Sequence, residues 1–156
     1  RSLTRIPKPD FRIVPVADLV ENVAELLRLQ LRERGIRLVT SVQPASLTVT
    51  ADPSLVEQVL INLHKNAAEA VQGRADAEIR LSGAIDERGR TILQVVDNGS
   101  GIVSEALDKI FIPFFTTKKE GSGIGLSLSR EIMRQHGGTL SVVSDPDVRT
   151  VFTLRF

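Results

Sequence analysis

Two glycine clusters interrupt the apolar periodicity of this chain: Asp97-Asn98-Gly99-Ser100-Gly101 and Gly121-Ser122-Gly123-Ile124-Gly125. Between them lies an aromatic and basic segment, Phe111-Ile112-Pro113-Phe114-Phe115-Thr116-Thr117-Lys118-Lys119. Glycine, lacking a Cβ, reaches backbone conformations closed to other residues and lets a ligand lie against the main chain. Two such runs can aim several N–H groups at one point, which suits a polyphosphate. The stretch from Asp97 to Gly125 therefore reads as a nucleotide site.

The flanking segments supply its frame. Val16, Leu19, Val20, Val23, Leu26, Leu27 and Leu31 recur at helical spacing up to Arg34-Gly35 and predict an amphipathic helix over 15–34. Ile36 to Val42 alternates apolar and polar residues, and Leu47-Thr48-Val49-Thr50 is short and β-branched; both predict strands. Asp52-Pro53 is a strong helix start, because the Asp accepts from unpaired N–H groups and Pro is tolerated at the first helical position. That helix should reach about Gln72-Gly73 with a core stripe of Val56, Val59, Leu60, Leu63, Ala67, Ala70 and Val71. On an adjoining face Gln58, Asn62 and Asn66 follow at i, i+4 and i+8, with Glu69 a turn further on.

Glu78 to Ile85 and Thr91 to Val96 predict an antiparallel hairpin around Asp86-Glu87-Arg88-Gly89-Arg90, and its second strand delivers Asp97. Ile124, Leu128, Ile132 and Met133 space out a third helix that stops at Gly137-Gly138. Thr139 to Ser144 and Thr150 to Phe156 close the chain as strands. Three helices and about six strands predict an α/β two-layer sandwich, a mixed and mostly antiparallel sheet covered on one face by helices.

A length of 156 residues suits one domain. The first ten residues carry Pro7 and Pro9 and no apolar periodicity, so 1–10 are expected to be a linker from a longer protein and 11–156 the domain. Twenty basic and nineteen acidic residues give a net charge of +1, so no long-range field favours nucleic acid or an anionic membrane. The absence of cysteine excludes disulfides and thiolate metal sites and fits a reducing compartment. No apolar run reaches the length of about 18 residues that suggests a membrane span. A soluble, cytoplasmic piece is expected.

The second glycine run lacks the sixth-position Gly of a dinucleotide fingerprint, and no Gly-x-x-x-x-Gly-Lys-Ser/Thr loop or His-Arg-Asp catalytic loop is present. Another ATP-binding architecture is required. Because the first turn of a helix offers unpaired N–H groups and a positive dipole end, phosphates are expected at Gly123 to Leu126. Lys118 and Lys119, just upstream, could close over them as a lid. Asp97 ends an apolar strand before two glycines, where its carboxylate can accept from an exocyclic amine such as that of adenine. The amide of Asn66 can offer oxygen to Mg²⁺, a hard cation that keeps several waters while bridging phosphates. His64 lies about 200° around its helix from Asn66 and reads as structural. His136 falls in a last helical turn, where positive charge suits the dipole.

In order and spacing, these segments resemble the catalytic, ATP-binding domain of bacterial sensor histidine kinases, within the superfamily that includes type II topoisomerases, mismatch-repair ATPases and related chaperones. Asn62-Leu63-His64-Lys65-Asn66-Ala67-Ala68-Glu69-Ala70 is similar to the N box, Asp97 to Gly101 to the first glycine box, Phe111 to Phe114 to the F box, and Gly121 to Gly125 to the second glycine box. The resemblance implies a Bergerat ATP-binding fold and the cofactors ATP and Mg²⁺. It implies that Asn66 coordinates Mg²⁺ with support from Asn62, and that Asp97 binds the adenine amine in a pocket shaped by Gly99 and Gly101. Phe111 to Ser122 would form the lid, packed by Phe114 and Phe115, with Lys118 or Lys119 near the phosphates. Gly123 and Gly125 would supply phosphate-facing amides, and Ile102, Thr117, Gly121, Ile124 and Leu126 would also line the nucleotide. The N box and the Pro113 to Lys118 segment are closest in flavour to nitrogen-regulation and oxygen-sensing kinases.

The implied reaction is transfer of the γ-phosphoryl group of MgATP to a histidine on a separate upstream dimerisation domain, from which a response regulator takes it. Neither His64 nor His136 has the setting of that acceptor, and without the dimerisation domain the chain is expected to be monomeric. Two departures stand out: Arg149-Thr150 where the family usually has Gly-Thr, and Ile112 where many relatives carry a polar or acidic residue. Two other readings stay open. A non-kinase ATPase of the superfamily would need a catalytic base near the N box, and Glu57, five residues before Asn62, is about 140° away around the helix. A module that only senses nucleotide or binds a partner through its lid would show eroded boxes.

Overall fold

A computed structural model describes residues 6–115 and 125–156. The elements are β1 (Arg12–Pro15), α1 (Val16–Glu33), β2 (Arg37–Val42), β3 (Thr48–Ala51), α2 (Pro53–Ala70), β4 (Glu78–Ile85), β5 (Thr91–Asp97), α3 (Ser104–Leu107), α4 (Gly125–Gln135), β6 (Thr139–Asp145) and β7 (Arg149–Arg155). A five-stranded sheet runs in the order β2-β4-β5-β7-β6, with β2 parallel to β4 and every other pairing antiparallel. The mixed, mostly antiparallel sheet under helices is the architecture expected. Two elements lie beyond it. β1 pairs antiparallel with β3 in a separate two-stranded sheet, and α3 is a single turn. Both are four residues long, too short to display a period.

The inward face of the sheet alternates as a half-buried sheet must. Ile79, Leu81, Leu93, Val95, Phe152 and Leu154 point into the core, where α1, α2 and α4 cover them. α1 buries Val16, Leu19, Val20, Val23, Ala24, Leu27 and Leu31. Leu26, expected on that face, is 60% exposed because one step of 100° beside Leu27 carries it to the solvent flank. Gly83 of β4 lies where α1 begins; a Cβ there would sit 2.5 Å from Val16 Cγ1.

α2 starts as anticipated, with Asp52 as its cap and Pro53 at the first position, and Asp52 Oδ1 accepts from Leu55 N–H at 3.3 Å. It buries Leu55, Val56, Val59, Leu60, Leu63, His64, Ala67 and Ala68. Ala70 is only half-buried, since the helix ends there. His64 Nδ1 meets the Leu60 carbonyl at 2.7 Å inside the core, in keeping with a structural role, and burial lowers the pKa of this ring. The β4–β5 hairpin turns through Asp86, whose Oδ1 accepts from the N–H groups of Arg88 and Arg90 at 2.9 Å each. No described helix is long and apolar enough to cross a membrane.

Candidate functional site

Asp97 is the last residue of β5, and alternation turns it inward with Leu93 and Val95. It is 4% exposed. Burial pushes its pKa up, and the N–H of Gly99, donating to Oδ1 at 2.9 Å, opposes that shift. A carboxylate holds several acceptor sites, so this bond leaves capacity for a ligand's amine.

The backbone beyond Asp97 lies hard against the end of α2. A Cβ at Gly99 would sit 2.4 Å from the Ala70 carbonyl oxygen, and Ser100 N–H donates to that same oxygen at 3.2 Å. The glycine loop therefore caps α2 as well as bordering Asp97. Gly101 takes φ = +85° and packs on Pro146, where a Cβ would come within 2.7 Å of Pro146 Cα. Ile102 N–H donates to Ser144 Oγ at 2.9 Å, and Ser144 Oγ lies 2.8 Å from Thr150 Oγ1. Thr150 is the strand partner of Asp97 and is itself buried, so its hydroxyl lies on the inward face beside the carboxylate.

Thr150 and Ser144 adjoin Asp97 and the glycine loop, a placement the sequence reading missed. That reading places Thr150 at the start of the last strand without a neighbour, whereas the β5–β7 register brings it opposite Asp97. The turn before Arg149 closes without a glycine. Asp147, at φ = +64°, takes the left-handed position of the β6–β7 turn, and Val148 N–H closes onto the Asp145 carbonyl at 2.9 Å. A glycine at 149 is not needed.

On α2, Asn62 and Asn66 are half-buried. Asn62 Nδ2 donates to Ser129 Oγ at 3.3 Å, and a Cβ on Gly125 would lie 2.5 Å from Asn62 Oδ1. Gly125 thus allows the first turn of α4 to rest on α2 beside Asn62. Leu126 is half-buried in that turn. No cluster of three or more His, Asp or Glu side chains able to hold a metal occurs among the described residues. An amide such as that of Asn66 fits a Mg²⁺ bound mainly through phosphate oxygens and water rather than a carboxylate cage.

The F-box segment behaves differently from its expectation in one respect. Phe111 and Phe115 pack against the core, and the Arg130 guanidinium of α4 stands 5.1 Å over the Phe111 ring. Phe114, expected to pack the lid and touch nucleotide, is 61% exposed with a left-handed backbone, φ = +69°. Ile112 is also exposed. Thr117, Lys118, Lys119, Gly121, Gly123 and Ile124 lie outside the described residues.

His136 ends α4 with both ring nitrogens engaged. Its Nδ1 meets the Ile132 carbonyl at 2.8 Å and its Nε2 accepts from Asp52 N–H at 3.1 Å, a pattern that needs the proton on Nδ1. Glu57 accepts from Asn22 Nδ2 at 3.0 Å, on the α1 side of α2. Two open grooves follow the outer side of α1, lined in part by Arg28 and Arg32, and neither includes a residue of the glycine loop or the Asn62 stripe.

The fold is a helix-covered α/β sandwich with a buried Asp at the end of β5 and two half-buried amides on α2. The chain belongs to the family described as histidine kinase-, DNA gyrase B-, and HSP90-like ATPase, which matches residues 51–156. It is 34% identical over 145 residues to the sensor histidine kinase ZraS of Klebsiella oxytoca, covering 92% of this chain and 30% of that protein. The nucleotide-free catalytic domain of histidine kinase ThkA superposes with a TM-score of 0.81 at 32% identity, over 94% of this chain and 95% of that one. A structure of ThkA in complex with response regulator protein TrrA superposes at 0.79 and 29% identity, over 95% of this chain and 42% of that one. The chain thus spans about 30% of the length of the ZraS relative.

Proposed function

We propose that this chain is the phosphoryl-donor half of a sensor histidine kinase: it binds MgATP between α2, the glycine loop and the start of α4, and presents the γ-phosphoryl group to a histidine on a separate dimerisation domain. The observation that carries this reading is Asp97, buried at the end of β5 with its carboxylate held by Gly99 and open to one further donor. Adenine supplies such a donor in its exocyclic amine. The absence of a Cβ at Gly99 lets the loop after Asp97 lie against the end of α2, and Thr150 adds a hydroxyl on the same face as Asp97.

The N–H groups of the first turn of α4 suit phosphate oxygens, as does the positive end of its dipole. Mg²⁺, when bound, neutralises developing phosphate charge; Asn66 is the residue that would offer it an amide oxygen, with Asn62 braced against Ser129 beside it. Lys118 and Lys119 would meet the phosphates from the lid, with Thr117, Gly121, Gly123 and Ile124 alongside. Because transition states for phosphoryl transfer are loose, the work left to the protein is positioning and charge neutralisation. The acceptor domain and a response regulator would be the partners, as ThkA has TrrA. The chain would act in the cytoplasm as a monomer. Glu57 is occupied by Asn22 and turned toward α1, which disfavours the hydrolytic reading.

Calorimetric titration with MgATP, beside the variant Asp97→Ala, tests the proposal. Loss of a hydrogen bond to a charged group costs roughly 1.5–3 kcal/mol, so affinity should fall on the order of 10- to 150-fold. Equal binding by wild type and variant would remove Asp97 from the adenine site. Sustained phosphorylation by the chain alone, without an acceptor domain, would contradict the division of labour proposed.

A further inference from the structure

His136 closes α4 at the end opposite Gly125, and both of its ring nitrogens are engaged: Nδ1 by the Ile132 carbonyl, Nε2 by the N–H of Asp52. Asp52 is in turn bonded to the beginning of the chain. Its Oδ2 accepts from Asp10 N–H at 2.9 Å, while Oδ1 caps α2 through Leu55 N–H. Phe11, the next residue, meets the His136 ring edge-on at 5.2 Å between centroids, and Phe156 does the same at 6.2 Å. The leading segment 6–15, the first turn of α2, the last turn of α4 and the final residue of the chain therefore meet at one imidazole. Ile6 packs against the core on the same run of chain.

The second contact between α2 and α4 is the one at the candidate site, where Gly125 rests on Asn62 and Ser129 bonds it. Asp52 and Asn62 are ten residues apart on α2, and Gly125 and His136 are eleven apart on α4. At 1.5 Å per residue these spans are about 15 and 16 Å, so two antiparallel helices are pinned at two matched points. Shifting α4 at His136 must then shift it at Gly125, because a packed helix moves as a rigid element.

We propose that the Asp52–His136 pair is a joint that couples docking of the leading segment to the width of the nucleotide cleft, with His136 as a positioning residue. The inference rests on the nucleotide reading above. Where the leading segment is docked through Asp10 and Phe11, α4 is seated and its first turn is held beside Asn62. Where it is released, Asp52 loses one of its partners, the imidazole loses one of its two flanking rings, and α4 is free to tilt. Whatever precedes this chain in a longer protein could act on nucleotide binding by pulling on residues 6–15. Coupling between two equilibria is reciprocal, so nucleotide must also tighten the docking.

The test is amide hydrogen exchange at Asp10 with and without saturating MgATP, with calorimetry of MgATP binding on the same samples. Four proteins are compared: wild type, His136→Gln, which keeps an acceptor within reach of Asp52 N–H, His136→Leu, which does not, and Asp10→Pro, which deletes the docking donor at an exposed position. In wild type, MgATP should slow Asp10 exchange about five-fold or more, the low end of typical coupling. Asp10→Pro should weaken MgATP binding by up to the same factor. His136→Gln should retain the response and His136→Leu should abolish it while remaining folded by circular dichroism. If His136→Leu does not fold, Asp10→Pro decides alone. Wild-type protein that binds MgATP with unchanged Asp10 exchange, or Asp10→Pro binding as tightly as wild type, overturns the coupling. Wild-type protein that binds no MgATP in the calorimeter overturns the nucleotide reading and this inference with it.

Discussion

Asp97 carries opposite consequences for stability and for binding. Its folded pKa is raised by burial, so the folded chain holds its proton more tightly than the unfolded chain does. Between the unfolded value of 3.8 and the higher folded value, stability falls as pH rises; the full stabilising effect is present only below 3.8. At neutral pH the ionised group therefore weighs against folding. Asp97→Asn keeps the oxygen that accepts from Gly99 N–H and removes the charge, so it should melt at a higher temperature than wild type at pH 7. That advantage should shrink as pH is lowered toward 3.8, and paired melts across this range check it. A variant less stable than wild type at neutral pH would mean that the carboxylate is better compensated than the bond from Gly99 N–H alone provides.

Among the elements, the β6–β7 turn gives the sharpest prediction. Asp147 occupies a left-handed conformation that Asp tolerates and β-branched residues resist. Asp147→Val should cost about 1–3 kcal/mol, read by denaturant melts. It should also weaken nucleotide binding, because Asp147 N–H donates to the Ser100 carbonyl at 3.1 Å and so braces the glycine loop. The sequence announced the long elements because their periods repeat: the Asp52-Pro53 start, the α2 stripe and the β4–β5 hairpin are all legible in residue types alone. It did not announce this turn's brace or Thr150, because both depend on which strands become neighbours, a property of register rather than of local pattern. Phe114 shows the same limit. Three phenylalanines in five positions, Phe111, Phe114 and Phe115, read alike, yet backbone geometry turns two toward the core and one to solvent. The joint at His136 was hidden for the same reason, since Asp52 is 84 residues away in sequence.

At the scale of the whole molecule, the sheet has two edges, β2 and β6. Arg37 and Gln43 donate across to Ala77 and Gly83 near β4, so the odd-numbered residues at that boundary address β4 while Leu38, Thr40 and Val42 turn their backbone groups outward. Arg28 of α1 reaches over and donates from Nη1 to the Leu38 carbonyl at 2.9 Å. An exposed edge with vacant acceptors is a template for another strand, and a side chain already bonded there blunts it. Arg28→Ala should leave nucleotide binding untouched, since the grooves Arg28 lines include no residue of the glycine loop or the Asn62 stripe, but should raise self-association at high concentration, as seen by static light scattering. The guanidinium on Leu38 thus acts as a chaperone of sorts for its own sheet. It keeps the open edge of β2 from pairing with the same edge of a second copy.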